Sequence, residues 1–315
     1  MADETEQLEN VDPDKHIVDV LIEERAAELI ARPLLWRLLR PTVLPILGYR
    51  QAIEAVNHSA NLSGLEIFHY VSDRIRMNVL TEGLENIPRE GGAIIMPNHP
   101  AGIADGIAVF DALKAIREDV IFFANRDAIR AAPGLSDLII PVEWVDEKRT
   151  HGRRKETVKS MVRAFRDERL VIIFPSGRLA QPTLRGLIER PWQSTAMNLA
   201  LKYDTPVIPM HVHGRNSWVY YLFYFLHHEL RDMTLFRELF NKTGQTYRIT
   251  VGEGFSSREQ LAHFDNDLEA LTEGLRKFVA ESMPDGARRF EPVAGRSMGE
   301  TQDKSSARGS GEASD

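Results

Sequence analysis

The hydrophobic positions of this chain follow two patterns that alternate from about residue 75 onward. Short apolar runs are typical of buried strands, and longer segments with an apolar residue at every third or fourth position are typical of amphipathic helices. The predicted strands are Arg76–Glu82, Ala93–Met96, Val120–Ala124, Leu138–Val142, Leu170–Phe174, Pro206–Met210 and Tyr247–Gly252. The predicted helices are Asp105–Ile116, Arg153–Asp167, Trp192–Lys202, Trp218–Phe240 and Arg258–Ser282. This alternation predicts an α/β fold, with a mixed, largely parallel sheet flanked by helices.

The two ends of the chain depart from this pattern. Residues 16–74 have helical spacing with a break at Arg40-Pro41, so we expect an N-terminal helical segment. Residues 1–15 are polar, and residues 284–315 are rich in Gly, Ser, Pro and charge, so both are predicted to be disordered tails. The α/β domain is therefore expected over residues 75–283.

Composition and charge narrow the range of functions. The 315 residues are 43% hydrophobic, which is enough for a core, and the net charge of −7 argues against nucleic acid as a partner. The absence of cysteine excludes disulfides, thiol nucleophiles and thiolate metal sites. The first residues lack the basic and apolar regions of a signal peptide, and no run approaches the roughly 18–20 apolar residues that span a bilayer. We therefore expect a cytoplasmic protein.

A histidine and an aspartate lie in a Gly- and Pro-rich loop that follows the predicted strand Ala93–Met96. The loop reads Pro97-Asn98-His99-Pro100-Ala101-Gly102-Ile103-Ala104-Asp105-Gly106. Open α/β sheets usually place their sites at the carboxyl ends of strands. A histidine held by a carboxylate can take a proton from a hydroxyl nucleophile. Taken alone, a His and an Asp in one loop are also compatible with a purely structural role.

Three further polar motifs follow predicted strands. One is Phe174-Pro175-Ser176-Gly177-Arg178, where backbone N–H groups and an arginine can hold an anion, or the turn is structural with a solvated arginine. Another is Asn125-Arg126, whose arginine is either an anion ligand or an ordinary surface charge. The last is Pro206-Val207-Ile208-Pro209, and prolines restrict a strand to an edge or a bulge.

The four motifs in this order resemble the four blocks of the glycerolipid acyltransferase family, which includes glycerol-3-phosphate and lysophosphatidic acid acyltransferases. The resemblance covers roughly residues 75–255 and identifies 75–283 as an expected acyltransferase domain. Downstream, Gly214–Ser217, Arg237–Lys242 and Ile249–Glu253 are similar to a branch that carries the inherited name hemolysin. That branch includes acyltransferase domains of bacterial ornithine-lipid synthesis.

Two departures from the family pattern affect the expected site. Five residues separate His99 from Asp105, where the commonest form has four, and we expect Gly102 to let the loop bulge and restore the contact. Ser176 stands where the family usually has a glutamate that helps to fix the substrate, and Arg178 comes one place early. The identity of the substrate is therefore open.

The resemblance implies a mechanism and a set of site residues. His99 is the expected general base and Asp105 its orienting partner, with backbone N–H groups near Gly102 or Gly177 as candidate oxyanion donors. The acyl donor is expected to be acyl-CoA or acyl-carrier protein, and no cofactor or metal is required. His211 and His213 alternate on a strand without an evident third ligand, so we expect structural roles for both. The expected substrate-binding residues are Asn98, Gly102, Asn125, Arg126, Phe174, Pro175, Ser176, Gly177, Arg178 and Pro209.

A lipid acceptor implies contact with a membrane surface, expected at the inner face of the cell membrane. Pro33–Arg40 mixes Trp, Leu and Arg as interfacial helices do, and Trp218–Leu226 is rich in aromatic residues that favour the interface. The alternative is that both stripes pack against the sheet.

The sequence is compatible with three functions. The first is acyl transfer to a hydroxyl of a lysophospholipid or glycerol phosphate. The second keeps this chemistry with a lyso-ornithine lipid or another non-phosphate lipid as acceptor. The third is a non-catalytic lipid-binding homologue. A soluble α/β hydrolase is disfavoured because the Gly-x-Ser-x-Gly motif is missing.

Overall fold

The computed structural model describes residues 15–142 and 151–291. The strands are β1 (Asn78–Glu82), β2 (Ala93–Pro97), β3 (Val120–Asn125), β4 (Ile139–Val142), β5 (Leu170–Ile172), β6 (Gln181–Thr183), β7 (Gly186–Ile188), β8 (Val207–His213) and β9 (Thr246–Val251). The helices are α1 (Ile17–Arg25), α2 (Ala27–Ile30), α3 (Pro33–Ile46), α4 (Tyr49–Ser59), α5 (Gly64–Ile75), α6 (Ile103–Leu113), α7 (Asp127–Ala131), α8 (His151–Arg166), α9 (Thr195–Tyr203), α10 (Trp218–Leu226), α11 (His228–Met233), α12 (Leu235–Phe240), α13 (Ser257–His263) and α14 (Leu268–Lys277).

Seven strands form one sheet in the order β1-β9-β8-β2-β5-β3-β4. All neighbouring pairs are parallel except β8 and β9, which are antiparallel. The predicted fold class, a mixed and largely parallel sheet flanked by helices, is confirmed. β6 and β7 form a separate antiparallel hairpin that the sequence pattern did not predict.

Helices cover both faces at the centre of the sheet, which explains why β2, β4 and β5 are almost continuously apolar, whereas β1 and β9 alternate. Successive side chains of a strand point to opposite faces. Ile95 accordingly joins a core with α5 and α6, whereas Ile94 and Met96 join a second core with α8, α9 and α14. The carboxyl end of β2 therefore emerges between two packed layers, and this position fixes the backbone that leads into His99.

The N-terminal helices pack onto the domain at several points. Arg25 of α1 forms an ion pair with Asp127 of α7 at 2.8 Å. Glu229 of α11 accepts the backbone N–H groups of Glu28 and Leu29 at 2.7 and 2.9 Å. α5 lies within the main core, so the predicted boundary at residue 75 separates this helix from the core that it helps to build.

Two long predicted helices are interrupted in the structure. Trp218–Phe240 is divided into α10, α11 and α12. The first break is at His227, which has extended backbone angles, and the second is at Thr234. Arg258–Ser282 is divided into α13 and α14 by Asp265 and Asn266, whose φ angles of 53° and 61° are left-handed. Apolar spacing alone did not reveal either interruption.

Prolines interrupt the helices and strands less than the sequence predicted. α3 continues through Pro41 and Pro45, so the predicted break at Arg40-Pro41 is wrong. Pro209 lies in β8, which is an interior strand. Its missing N–H is tolerated because β9 ends at Val251. Beyond that point Gly252 donates to the Pro209 carbonyl at 2.9 Å, and the next backbone pairing is between Val207 and Phe255.

The predicted tails overlap only partly with the described residues. Of residues 1–15 only Lys15 is described, and residues 292–315 lie outside the described part of the chain. Residues 284–291 are described, and Phe290 is buried against the rings of Phe255, Phe264 and Phe278. The predicted tail boundary at residue 284 is therefore too early. Among the described residues, no helix is long and apolar enough to cross a membrane.

Candidate active site

The loop between β2 and α6 carries the expected catalytic pair. Asn98 opens this loop, and its side chain bonds both backbone groups of Val212 in β8. The Asn98 amide donates to the Val212 carbonyl at 3.0 Å and accepts from the Val212 N–H at 2.7 Å. Asn98 therefore anchors the loop to the neighbouring strand, and its polar atoms are engaged inside the protein rather than offered to a substrate.

His99 and Asp105 are in direct contact. His99 Nδ1 lies 3.0 Å from Asp105 Oδ2, and the same oxygen accepts the backbone N–H groups of Ala101 and Gly102 at 2.7 and 2.9 Å. Asp105 is fully buried in the first turn of α6, where free N–H groups and the helix dipole favour a negative charge. The His99 side chain is 17% exposed, so the pair joins a buried carboxylate to an accessible ring.

The glycine at position 102 makes this contact possible across the longer spacing. Its φ is +87°, a conformation that side chains with a Cβ rarely adopt, and an added Cβ would lie 3.2 Å from Leu179 Cδ2. The loop turns back at Gly102 and brings Asp105 to His99. This geometry agrees with the sequence expectation for Gly102.

The contact determines which of the two ring nitrogens of His99 carries the proton. A carboxylate only accepts hydrogen bonds, so Nδ1 carries the proton and Nε2 keeps its lone pair. Among the described residues, Nε2 has no hydrogen-bond partner. A neutral imidazole in this arrangement can accept a proton at Nε2, while Asp105 stabilises the resulting positive charge.

The turn after β5 lies beside His99. The Phe174 ring is centred 4.3 Å from the His99 ring, and the backbone N–H of Ala180 donates to the His99 carbonyl at 2.8 Å. Pro175 and Ser176 are buried. The Ser176 hydroxyl donates to the Arg178 carbonyl at 2.8 Å and closes the turn. The structure thus brings the first and third motifs together.

The expected oxyanion donors are already engaged. The Gly102 N–H donates to Asp105, and the Gly177 N–H donates to the Phe174 carbonyl at 3.0 Å. Neither group is free to hold an oxyanion in this conformation.

The remaining predicted ligands differ in availability. Arg178 is exposed and has no ion-pair partner among the described residues. Arg126 lies two strands away at the end of β3 and forms an ion pair with Glu156 at 2.7 Å. Asn125 accepts the Asp127 N–H at 2.8 Å, and Pro209 is buried within β8. Asn125, Arg126 and Pro209 therefore have structural partners, and Arg178 alone of these four offers an unpaired charge.

Residues 78–213, which run from β1 to β8 and contain this site, match the family model described as Acyltransferase. The match covers less than half of the chain and marks this region as an acyltransferase domain. The matched region holds both His99 and Asp105, so the contact between them lies within the acyltransferase domain.

Two curated bacterial proteins are similar to this acyltransferase, and both are named lyso-glycine lipid O-acyltransferase. The protein from Bacteroides thetaiotaomicron is 23% identical over 204 residues, which cover 63% of this chain and 73% of that protein. The protein from Phocaeicola vulgatus is 27% identical over 164 residues, which cover 52% of this chain and 57% of that protein. The match thus spans little more than half of the second relative.

One solved structure is also similar, that of the 1-acyl-sn-glycerophosphate (LPA) acyltransferase from Thermotoga maritima. It shares 14% identity with this acyltransferase, at a TM-score of 0.42, over 87% of this chain and 99% of that one. At that score the likeness carries no inference about this chain.

Sequence reasoning missed a buried carboxylate next to the acyltransferase site. Glu189 follows the β6–β7 hairpin, and its Oε2 accepts the backbone N–H of His99 at 3.1 Å. Its Oε1 accepts the Trp192 indole N–H at 2.9 Å. No local pattern marks Glu189, because its proximity to His99 depends on how the hairpin returns to the sheet.

A buried polar network lies behind the loop of the catalytic pair. With its amide oriented to satisfy its neighbours, Asn216 donates to the Ala101 carbonyl at 3.1 Å and to Glu238 at 3.3 Å. Glu238 also accepts from Ser217 at 2.7 Å and pairs with Lys242 at 3.3 Å. These residues come from two of the downstream motifs, Gly214–Ser217 and Arg237–Lys242, which therefore support the loop of the acyltransferase site.

The paired histidines of β8 do not converge. His211 Nδ1 bonds the Val279 carbonyl at 2.9 Å, and burial lowers the pKa of His211. The rings of His211 and His213 are 6.4 Å apart. A different group, Glu28, His228 and Glu229, is close enough to ligate a metal, but Glu229 already bonds backbone N–H groups.

Proposed function

We propose that this acyltransferase transfers a fatty acyl group from a thioester donor to a hydroxyl of a lysolipid, with His99 as general base. The contact between His99 Nδ1 and Asp105 carries the proposal. It leaves Nε2 with a lone pair on an accessible ring, which is the arrangement that base catalysis requires.

The proposed step follows the logic of a Ser-His-Asp triad in which the substrate supplies the hydroxyl. His99 Nε2 takes the proton as the acceptor oxygen attacks the thioester carbonyl carbon. The carbon–sulfur bond then breaks, and the leaving thiolate takes the proton back from the imidazolium. Asp105 stabilises the imidazolium through Nδ1, and a positioned base typically contributes about 10²–10⁴-fold to the rate.

Among acceptors, we favour a lysolipid whose head group is an amino acid rather than a phosphate. Ser176 replaces the family's glutamate, and Arg126 is neutralised by Glu156 instead of facing an anion. The two curated relatives are named for a lyso-glycine lipid. The exposed Arg178 can pair with a carboxylate of such a head group. A lysophospholipid or glycerol phosphate is the second candidate, because Arg178 can equally pair with a phosphate.

A membrane surface is part of the proposal, because a lysolipid acceptor resides in a bilayer. Large apolar side chains are exposed on two helices: Leu34 is 85% and Leu38 72% exposed on α3, and Trp218 is 74% and Phe225 71% exposed on α10. Leu184 is fully exposed between β6 and β7. These side chains fit an interfacial attachment driven mainly by hydrophobic contact, since the net charge is negative. We propose attachment at the inner face of the cell membrane.

The first experiment is a transfer assay with purified protein, lipid vesicles and labelled donor. Acyl-CoA and acyl-carrier protein are tested separately against glycerol-3-phosphate, lysophosphatidic acid, lyso-ornithine lipid and lyso-glycine lipid. We expect transfer to an amino-acid lysolipid, a loss of at least about 10²-fold in His99→Ala, and unchanged unfolding of that variant.

The controls separate the alternatives. Selective loss of transfer in Arg178→Ala, seen as a raised KM, supports head-group binding by Arg178. Normal transfer by His99→Ala contradicts the proposed base. Folded protein that binds vesicles but transfers to none of the acceptors favours the non-catalytic lipid-binding alternative.

A further inference from the structure

The mechanism proposed above leaves one buried ionisable group beside the site unused. Glu189 is buried, and both of its carboxylate oxygens accept hydrogen bonds from N–H groups that cannot accept in return. One donor is the backbone of His99 and the other is the indole of Trp192. A carboxylate satisfies two such donors at once, whereas a side-chain amide offers a single oxygen.

A negative charge on the buried Glu189 side chain reduces the stability of the folded protein. Burial raises the pKa of Glu189. Hydrogen bonds from the Trp192 side chain, the His99 backbone and the Ser176 side chain lower this pKa, as does the positive charge of a protonated His99, but together they offset the effect of burial only in part. Among the described residues, no lysine or arginine forms an ion pair with its carboxylate. Arg276 pairs with Glu273 and hydrogen-bonds Glu189 only at the backbone carbonyl, at 3.4 Å. A raised carboxyl pKa means that stability is lost above that pKa and regained as the pH falls through it. Stability alone therefore does not explain an ionised Glu189.

The position of Glu189 relates it to the base in two ways. Its hydrogen bond to the His99 N–H fixes the backbone at the residue that carries the imidazole. Its negative charge attracts the positive charge that His99 acquires in the proposed reaction. Asp105 contacts the ring of His99, and Glu189 contacts its backbone, so the two carboxylates hold His99 from different directions.

We propose that Glu189 is a positioning residue for acyl transfer: its carboxylate holds the His99 backbone and favours the imidazolium that forms as the acceptor loses its proton. This role rests on the proposed function of His99. Glu189 touches neither substrate in the proposed step and acts through His99.

The decisive variant is Glu189→Gln, which keeps the size of the side chain and removes its charge. We expect kcat to fall about 10- to 100-fold, less than the loss of the base itself, with little change in the KM of either substrate. The acidic limb of the kcat–pH profile is expected to shift to lower pH, because the imidazolium loses a nearby negative charge. The melting temperature is expected to change little, because the removal of a buried charge is offset by the loss of one of the two accepted hydrogen bonds.

A second measurement tests Glu189 without any substrate. The titration of His99 is followed by NMR, with the signal assigned by its loss in His99→Ala. In Glu189→Gln we expect the His99 titration midpoint to shift to lower pH. Glu189→Asp, which keeps the charge with a shorter reach, is expected to retain most of the wild-type midpoint with an intermediate kcat.

Trp192→Phe is the matched control. It removes the donor to Oε1 and leaves the bond between Glu189 and His99, so we expect a wild-type acidic limb. An unshifted limb and titration midpoint in Glu189→Gln overturn the positioning role, whatever happens to kcat. Absence of transfer by the wild-type protein overturns the proposed function instead, and the NMR titration still decides whether Glu189 acts on His99.

Discussion

At the scale of single residues, the site depends on one backbone conformation. Gly102 turns the loop with a φ of +87°, and the two residues at positions 101 and 102 then direct their N–H groups at Asp105. The same turn brings Asp105 within 3.0 Å of His99. The orientation of the base therefore depends on a residue that has no side chain of its own.

Gly102→Ala tests this dependence. A side chain at φ +87° and ψ −129° is strained by about 1–3 kcal/mol, and the new Cβ would also press on Leu179. We expect a loss of stability of that order in urea unfolding, together with a lower kcat, because the loop can relieve the strain only by moving Asp105 away from His99.

Gly106→Ala is the control within the same segment. Gly106 lies inside α6, and a Cβ there would meet no atom within 4 Å. Alanine is the better helix former, so we expect a gain of about 0.5–1 kcal/mol and normal activity. Equal stabilities of the two variants would contradict the role assigned to Gly102.

At the scale of elements, buried acidic residues hold helix starts and loops through backbone N–H groups. Asp105 does so at the start of α6, and Glu229 of α11 does so at the start of α2. Glu238 of α12 accepts the N–H of Ser217, the residue that caps α10. Free N–H groups at a helix start lack intrahelical partners, so a carboxylate from another element both satisfies them and joins the two elements.

Glu229→Ala is expected to loosen the N-terminal helices without unfolding the sheet. Loss of a capping carboxylate typically reduces stability by about 0.5–2 kcal/mol. We expect faster amide hydrogen exchange in α2, with protection in β2 and β8 unchanged. His228→Ala changes the exposed neighbour, which lies 3.9 Å from Glu28, and is expected to leave the exchange rates alone. Uniformly faster exchange in the sheet as well would argue against a local role.

At the scale of the whole molecule, the exposed apolar side chains of the proposed membrane surface lie on elements from three separate parts of the chain. α3 belongs to the N-terminal helices, α10 follows β8, and the β6–β7 hairpin follows the Ser176 turn. Arg190, just after the hairpin, bonds the Tyr224 hydroxyl of α10 at 3.1 Å, so these last two elements are joined. The proposed membrane surface therefore includes two elements that are in direct contact with each other.

Trp218→Asp is expected to weaken binding to lipid vesicles without changing the unfolding transition, because Trp218 is exposed and has few contacts to lose. Vesicle sedimentation measures the bound fraction. Val158→Asp is the control: Val158 is 51% exposed on α8, outside the proposed surface, and this variant is expected to bind normally. Equal losses in both variants would show that binding is not confined to the surface proposed here.

Much of the fold could be predicted from the sequence, because burial imposes local periodicity. The seven strands of the main sheet were all predicted, with boundaries shifted by a few residues. The His99–Asp105 contact was expected from the motif and from Gly102, since both residues lie in one short loop. The breaks at His227 and at Asp265-Asn266 were not predicted, because a turn can interrupt a helix without altering its apolar spacing.

The sequence by itself determined the alternation of strands and helices and the loop that carries His99, because each depends on residues that are neighbours in the chain. It also determined the net charge, which depends on composition alone. Only the tertiary structure decided which polar groups meet across the sheet. It pairs Arg126 with Glu156, engages Asn98 with Val212, and brings Glu189 to His99. Such contacts join residues that are far apart in the chain, and strand order and hairpin return, rather than local spacing, set the distance between them.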